Sequence, residues 1–248
     1  MENALKKTES NFPNFFYPLV IGGKKIDNGE YIKSINPSKK YEVIGKTSTA
    51  KKEDIRFAVD EARKSFYNWK KTPAEKRAEY LFDVAEQMKQ RFFELSAMVV
   101  FEAGKNWREA CGDVAESIDF LNFYGSEFVK TRGSRLTQKI LGEENTIDYI
   151  PKGIVGVISP WNFPLAILTG MTSAALVAGN SVIMKPSEET PLIAGELMKM
   201  FEKSKLPSGV LNYLPGIGED AGNALVNSPY VNMIAFPGSR KVGLSINQ

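Results

Sequence analysis

Four short segments hold the residue types from which a binding or catalytic site is built: Ser159-Pro160-Trp161-Asn162, Lys185-Pro186-Ser187-Glu188, Pro215-Gly216-Ile217-Gly218 and Phe236-Pro237-Gly238-Ser239. Each follows an apolar, β-rich run and precedes a helical pattern. Each therefore offers the free N–H groups and positive dipole end of a helix start, which favour a phosphate. Small residues at Gly218, Gly222, Gly238 and Ser239 let such a group come close. Gly216 to Gly222 spells G-x-G-x-x-x-G, one residue longer than the usual dinucleotide fingerprint, and reads equally as a glycine-rich turn that starts a helix. Lys185 and Glu188 say more. A carboxylate just past the second strand of a dinucleotide fold is placed to accept hydrogen bonds from ribose hydroxyls and to repel a 2′-phosphate, which favours NAD over NADP. Lys185 tempers that repulsion. A solvated ion pair at a strand end is the other reading of the same two residues.

Composition narrows the chemistry. The 248 residues include no His and a single Cys, Cys111, which removes Ser-His and Cys-His nucleophile pairs, His-ligated zinc and any disulfide within one chain. No metal site is expected. Trp107, Cys111, Val114, Ile118 and Leu121 follow one another at spacings of four and three, so Cys111 is expected on the apolar stripe of a helix, packed in the core and unreactive. A lone thiol suits a reducing cytoplasm. Met98, Met171, Met184, Met198, Met200 and Met233 are expected to fill core gaps. Lys and Arg number 32 against 29 Asp and Glu, a net charge of +3. These charges are scattered rather than clustered, so a small metabolite is favoured over nucleic acid as a partner. Met1 to Ser10 lacks the apolar run of a secretory signal. Gly153 to Met184 carries no charged residue, but turn residues at 159–162 and 179–181 cut it into pieces too short for a bilayer. It reads as a buried strand, helix and strand.

The elements that must position these segments fall into two regions. Helices are predicted from Asp54 to Trp69, from the Thr72-Pro73 cap through Gln90, from Phe92 to Ala103 with Gly104 as its stop, and from Trp107 onward. Beyond Ile140 the pattern changes. Thr146 to Ile150 reads as extended, and strands at Gly153–Ser159, Ser181–Lys185, Val210–Leu214 and Val231–Phe236 alternate with helices at Leu165–Ala178, Pro191–Lys203 and Asp220–Val226, with another starting at Ser239. Strands separated by helices of this length favour an α/β, Rossmann-like, doubly wound parallel sheet with an N-terminal helical region. Ligands of such sheets bind beyond the carboxyl ends of the strands.

The segments Pro160-Trp161-Asn162-Phe163-Pro164, Lys185-Pro186-Ser187-Glu188, Gly218 with Gly222, and Phe236-Pro237-Gly238-Ser239 resemble, in order and spacing, the cofactor motifs of the aldehyde dehydrogenase superfamily. Glu102-Ala103-Gly104-Lys105, Asp113-Val114-Ala115-Glu116 and Ile118-Asp119-Phe120 resemble its branch that oxidises glutamate γ-semialdehyde, the open form of pyrroline-5-carboxylate. The resemblance implies an NAD-dependent enzyme of proline catabolism acting on a small aldehyde. Asn162 then matches the amide of the oxyanion hole, where a neutral NH₂ donor meets the alkoxide of a thiohemiacetal. Lys185 and Glu188 match the residues that hold the adenosine ribose, and Ile158 and Trp161 lie in the adjoining backbone segment. Gly218 and Gly222 line the adenine side, and Gly238 with Ser239 matches the helix start that contacts pyrophosphate. Pro237 stands where the family usually has Thr, which removes a backbone donor and a hydroxyl there.

The resemblance divides the chain into a tail at 1–15 and an NAD-binding domain at 16–248. That domain comprises a helical part at about 53–133, an oligomerisation strand at about 140–152 that implies a homo-oligomer, and the parallel sheet at about 153–248. In the family the attacking cysteine and the general-base glutamate lie further along. The chain is thus expected to be a fragment without the catalytic domain, inactive alone. A non-catalytic dinucleotide-binding or oligomer-partner protein, or another subfamily with a different aldehyde, are the alternatives.

Overall fold

A computed structural model describes residues 1–131 and 135–247, without the side chains of residues 135–139 and Thr146. The last residues of the expected helical part, 132–133, and the chain's stop at Gln248 lie outside the described residues. The expected N-terminal tail contains a helix, α1 (Glu2–Glu9), which docks on a later helix and buries Thr8. Five short strands follow that the helical reading of this region does not anticipate: β1 (Phe15–Tyr17), β2 (Leu19–Ile21), β3 (Lys24–Ile26), β4 (Tyr31–Ile35) and β5 (Val43–Ser48). β1 runs parallel to β5 and β4 antiparallel to it, making a separate small sheet. β2 and β3 form a hairpin through Gly22 and Gly23, whose φ of 59° and 77° lie in the left-handed region.

The helical region comprises α2 (Lys52–Trp69), α3 (Ala74–Gln90), α4 (Phe92–Ala103) and α5 (Trp107–Thr131). Pro73 is the N-cap of α3 rather than its first helical residue, and the Thr72 hydroxyl donates back to Asn68 O at 3.3 Å instead of capping. Gly104 ends α4 at φ +67°. The expected stripe on α5 is displaced at its start: Ala110, Asp113, Val114, Ser117, Ile118 and Leu121 are buried, Cys111 is half-buried and Trp107 is exposed. α5 packs between α3 and the helix that follows the strand expected at Gly153–Ser159, and Asp113 turns inward there, which rotates its first turn relative to a purely apolar count. Met98, Met184, Met198 and Met200 are buried, whereas Met233 lies exposed on an edge strand.

The strand expected at 146–150 is the second arm of a hairpin, β6 (Arg135–Ile140) and β7 (Glu143–Ile147), and ends at Ile147. Gly142, at φ +87°, makes its turn. The main sheet then follows as β8 (Ile154–Ile158), α6 (Ala166–Val177), β9 (Ser181–Lys185), α7 (Pro191–Lys203), β10 (Leu211–Tyr213), a π-helical turn at Gly218–Gly222, α8 (Asn223–Val226), β11 (Met233–Ala235) and α9 (Arg240–Ile246). The spatial order is β11-β8-β9-β10-β2-β3. β8 to β11 are mutually parallel as expected, and the antiparallel β2–β3 hairpin extends their sheet at one edge. Asn212 fastens that edge by accepting the Gly22 N–H at 2.9 Å.

Side chains alternate across the sheet. Val155, Val157, Val182, Met184, Leu211 and Tyr213 join one core with α3 to α7, while Ile154, Ile183 and Leu214 join another with Ile55, Ala58 and Val59 of α2 and Leu225 of α8. Burial on both faces explains why β8 and β9 read as unbroken apolar runs. Among the described residues no helix is long and apolar enough to cross a membrane. Because β9 lies on one side of β8 and β11 on the other, the chain reverses its winding at β8. A crevice opens at such a point beyond the carboxyl ends of the strands.

Candidate functional site

Beyond β9 and β10 the structure brings together Lys185, Glu188, Gly218 and Gly222. Lys185 ends β9 and is almost wholly buried at 2% exposure. Its Nζ donates to Pro186 O at 3.0 Å and lies 3.4 Å from Glu188 Oε2. Burial pushes the Lys185 pKa down, with Glu188 pulling the other way. The Glu188 side chain keeps 41% of its surface open. The pair is thus not a solvated surface bridge: the cation is buried and the carboxylate faces outward. The π-helical turn closes one wall. A Cβ on Gly222 would stand 3.6 Å from Lys185 Cε, and one on Gly218 would stand 3.9 Å from Glu188 Oε1, so bare glycine leaves a cradle there. An ammonium has three N–H donors. Two are met by these oxygens, and the third, with the open carboxylate, matches the acceptor and donor of a ribose diol.

β8 ends at Ile158, half-buried, and beyond it lie the exposed Trp161, Asn162 and Phe163. Asp113 and Lys105 support this loop from the helical layer. Asp113 Oδ1 accepts the Ala166 N–H at the start of α6 at 2.7 Å, and its Oδ2 lies 2.7 Å from Lys105 Nζ, which sits 3.8 Å from the Phe163 ring centre. Burial raises the Asp113 pKa against the pull of Lys105 and of the Ala166 N–H. Ser159 Oγ is buried and has no partner among the described residues, while its N–H donates to Lys185 O at 3.2 Å.

Beyond β11, on the far side of β8, Gly238 and Ser239 are both exposed. A Cβ on Gly238 would come within 2.2 Å of the Phe236 ring, and Ser239 Oγ accepts the Val242 N–H at 3.3 Å as the N-cap of α9. Pro237 is half-buried between them and β11. The sequence-predicted residues thus sit at the carboxyl ends of four neighbouring strands, β11, β8, β9 and β10, with four of them in one cradle.

Glu102, quoted above only as part of a motif, has a structural task that its spacing does not show. It is fully buried, accepting Leu192 N–H at 2.7 Å, Ile193 N–H at 2.8 Å and the Ser34 hydroxyl at 3.0 Å. Burial outweighs these three donors and pushes its pKa up to about 7. It caps α7 from a distant helix, while the hydroxyl of Thr190, the residue at the N-cap of α7, is buried without a partner among the described residues. The signal for that task in the sequence is an acidic residue inside the apolar Phe92–Ala103 pattern.

A parallel α/β sheet wound about a switch point, with a glycine-walled cation and carboxylate beyond its strands, defines a protein of the dinucleotide-binding class. The family model described as Aldehyde dehydrogenase family matches residues 25–248, and the chain belongs to that family. It is 45% identical over 245 residues to a 1-pyrroline-5-carboxylate dehydrogenase of Bacillus cytotoxicus, an alignment covering 99% of this chain and 47% of that protein. A crystal structure of 1-pyrroline-5-carboxylate dehydrogenase from Thermus with bound NAD superposes with a TM-score of 0.94 at 40% identity, covering 99% of this chain and 48% of that one. Proline utilization A from Bdellovibrio bacteriovorus, inactivated by N-propargylglycine, superposes with a TM-score of 0.96 at 39% identity, over 99% of this chain and 25% of its own. The fold is the aldehyde dehydrogenase fold in part. The chain spans about half the length of the curated relatives it matches.

Proposed function

We propose that these residues form the coenzyme-binding part of an NAD-dependent dehydrogenase that oxidises glutamate γ-semialdehyde, formed from pyrroline-5-carboxylate, to glutamate. The observation that carries this reading is the cradle of Lys185, Glu188, Gly218 and Gly222, in a chain 40% identical to a pyrroline-5-carboxylate dehydrogenase crystallised with NAD. When bound, NAD⁺ supplies the hydride acceptor. In this reading Lys185 and Glu188 hold the adenosine ribose, Gly218 and Gly222 let the adenine side lie close, and Ile158 and Trp161 line the path toward Asn162. Gly238 and Ser239 border the pyrophosphate. The Asn162 amide donates to the oxygen on which negative charge develops as the aldehyde is attacked.

Calorimetric titration of NAD⁺ into the chain tests the coenzyme reading, and saturable binding is the expected result. Heats no larger than dilution would refute it. NADH formation with pyrroline-5-carboxylate, in the protein isolated from its source, tests the substrate. The 248 residues hold one cysteine, Cys111, half-buried on α5, so they are expected on their own to form no NADH from this substrate.

The β6–β7 hairpin favours self-association. Ile140 and Leu141 are exposed at its turn, and Ile147, Tyr149 and Ile150 at and just past its other end, Leu141 completely, and exposed apolar side chains of this kind favour a contact surface. We expect sedimentation of the chain above its 27.6 kDa monomer mass and a return to monomer on the double substitution Ile147→Lys with Ile150→Lys. A wild-type monomer would refute the pairing.

A further inference from the structure

The Asn162 loop is tied to the helical layer by a buried carboxylate and a largely buried ammonium outside the segments that form the proposed coenzyme site. Pro160 and Pro164 restrict its backbone but provide no N–H. Its backbone hydrogen bonds are at the margins, Ser159 N–H to Lys185 O at 3.2 Å and Ile167 N–H to Phe163 O at 3.3 Å. A helix start leaves its first N–H groups without partners in the helix. Asp113, whose side chain is 0% exposed, takes the Ala166 N–H through Oδ1, and so fixes the direction in which the loop enters α6. A buried carboxylate needs a counter-charge, and Lys105 supplies it at 2.7 Å. The same ammonium lies 3.8 Å from the ring centre of Phe163, the residue next to Asn162, an attraction of cation and π-face that grows with desolvation.

We propose that Asp113 and Lys105 are positioning residues for Asn162, holding its loop so that the amide meets the reacting oxygen without rearrangement. The proposal rests on the reading of Asn162 as the alkoxide donor. Neither residue touches the reaction. A small displacement of a positioned group costs about a hundredfold in rate, which makes their removal measurable far from the chemistry.

Hydrogen exchange on the chain is the first test, with Asp113→Ala, Lys105→Met and Asp113→Asn, the last retaining an acceptor for Ala166. Amides of Trp161, Asn162, Phe163, Leu165 and Ala166 are expected to exchange about tenfold faster or more in the first two variants. They are expected near the wild-type rate in Asp113→Asn, with Val182 to Met184 of β9 unchanged in all three. Unchanged loop exchange in Asp113→Ala and Lys105→Met overturns the proposal, as does an acceleration shared equally by β9, which would make the pair a general stabiliser. In the protein isolated from its source, Asp113→Ala is expected to lower kcat about a hundredfold at constant KM for NAD⁺, and Asp113→Asn to recover most of it. A raised KM at constant kcat overturns the proposal. A wild-type protein that forms no NADH from pyrroline-5-carboxylate refutes the functional reading instead, and the exchange result still decides the positioning.

Discussion

Glu102→Ala is expected to lower the unfolding free energy of the chain by about 3–5 kcal/mol, the cost of breaking a fully buried hydrogen-bond network. Three donors lose their acceptor at once: the N–H groups of Leu192 and Ile193 and the hydroxyl of Ser34. Each buried donor left unmet costs about 1–3 kcal/mol. Water is a poor substitute, because Leu192, Ile193 and Ser34 are themselves buried. The loss would be read as a lower urea midpoint at unchanged slope, and a shift under about 1 kcal/mol would show that the cap is dispensable.

The same carboxyl makes stability depend on pH. Its folded pKa of about 7 lies above the ordinary 4.5, so between these values the folded chain binds more protons than the unfolded one. Its contribution is therefore full below about pH 4.5 and is lost as pH rises through 7, an effect of order 3 kcal/mol. Glu102→Gln cannot titrate. The stability difference between wild type and Glu102→Gln is thus expected to move against the wild type from pH 5 to pH 8, and a difference independent of pH would refute the raised pKa.

The parallel sheet was legible because each of its strands is a short apolar run closed by Pro, Gly or Asn, and each intervening helix has its own period. The residues of the cradle were legible for the same reason: they follow strand ends, and parallel strands bring their ends together. What stayed hidden depends on pairing across long separations. β2 has three residues and joins the main sheet by pairing Val20 with Tyr213, and β1 is completed by β5 some thirty residues later. Glu102 meets its donors only once α7 has packed against α4. Asp113 misled the stripe on α5 because a polar residue counts as solvent-facing until its partner is known. Its partner, Ala166 N–H, lies 53 residues away.

Affinity for NAD⁺ is expected to fall about tenfold in Glu188→Ala and about a hundredfold in Lys185→Met, since a charge-assisted hydrogen bond contributes about 1.5–3 kcal/mol. The order of the two losses follows from burial. Lys185 is fixed by the strand it ends and has 3% of its side chain exposed, so its donor is already oriented and desolvated, whereas Glu188 is 41% exposed and competes with water. Glu188→Ala is the cleaner test, because that carboxylate's hydrogen bond among the described residues is with Lys185; the urea midpoint is expected to fall, since the buried ammonium loses its counter-charge, so affinities are compared well below it. Removing the carboxylate also removes the repulsion of a 2′-phosphate, so the preference for NAD⁺ over NADP⁺ is expected to narrow. Calorimetry with both coenzymes separates the possibilities: an unchanged NAD⁺ affinity in both variants would remove the ribose from this cradle. A loss shared equally by NAD⁺ and NADP⁺ in Glu188→Ala would keep it there while showing that the carboxylate binds the ribose without sorting the coenzymes.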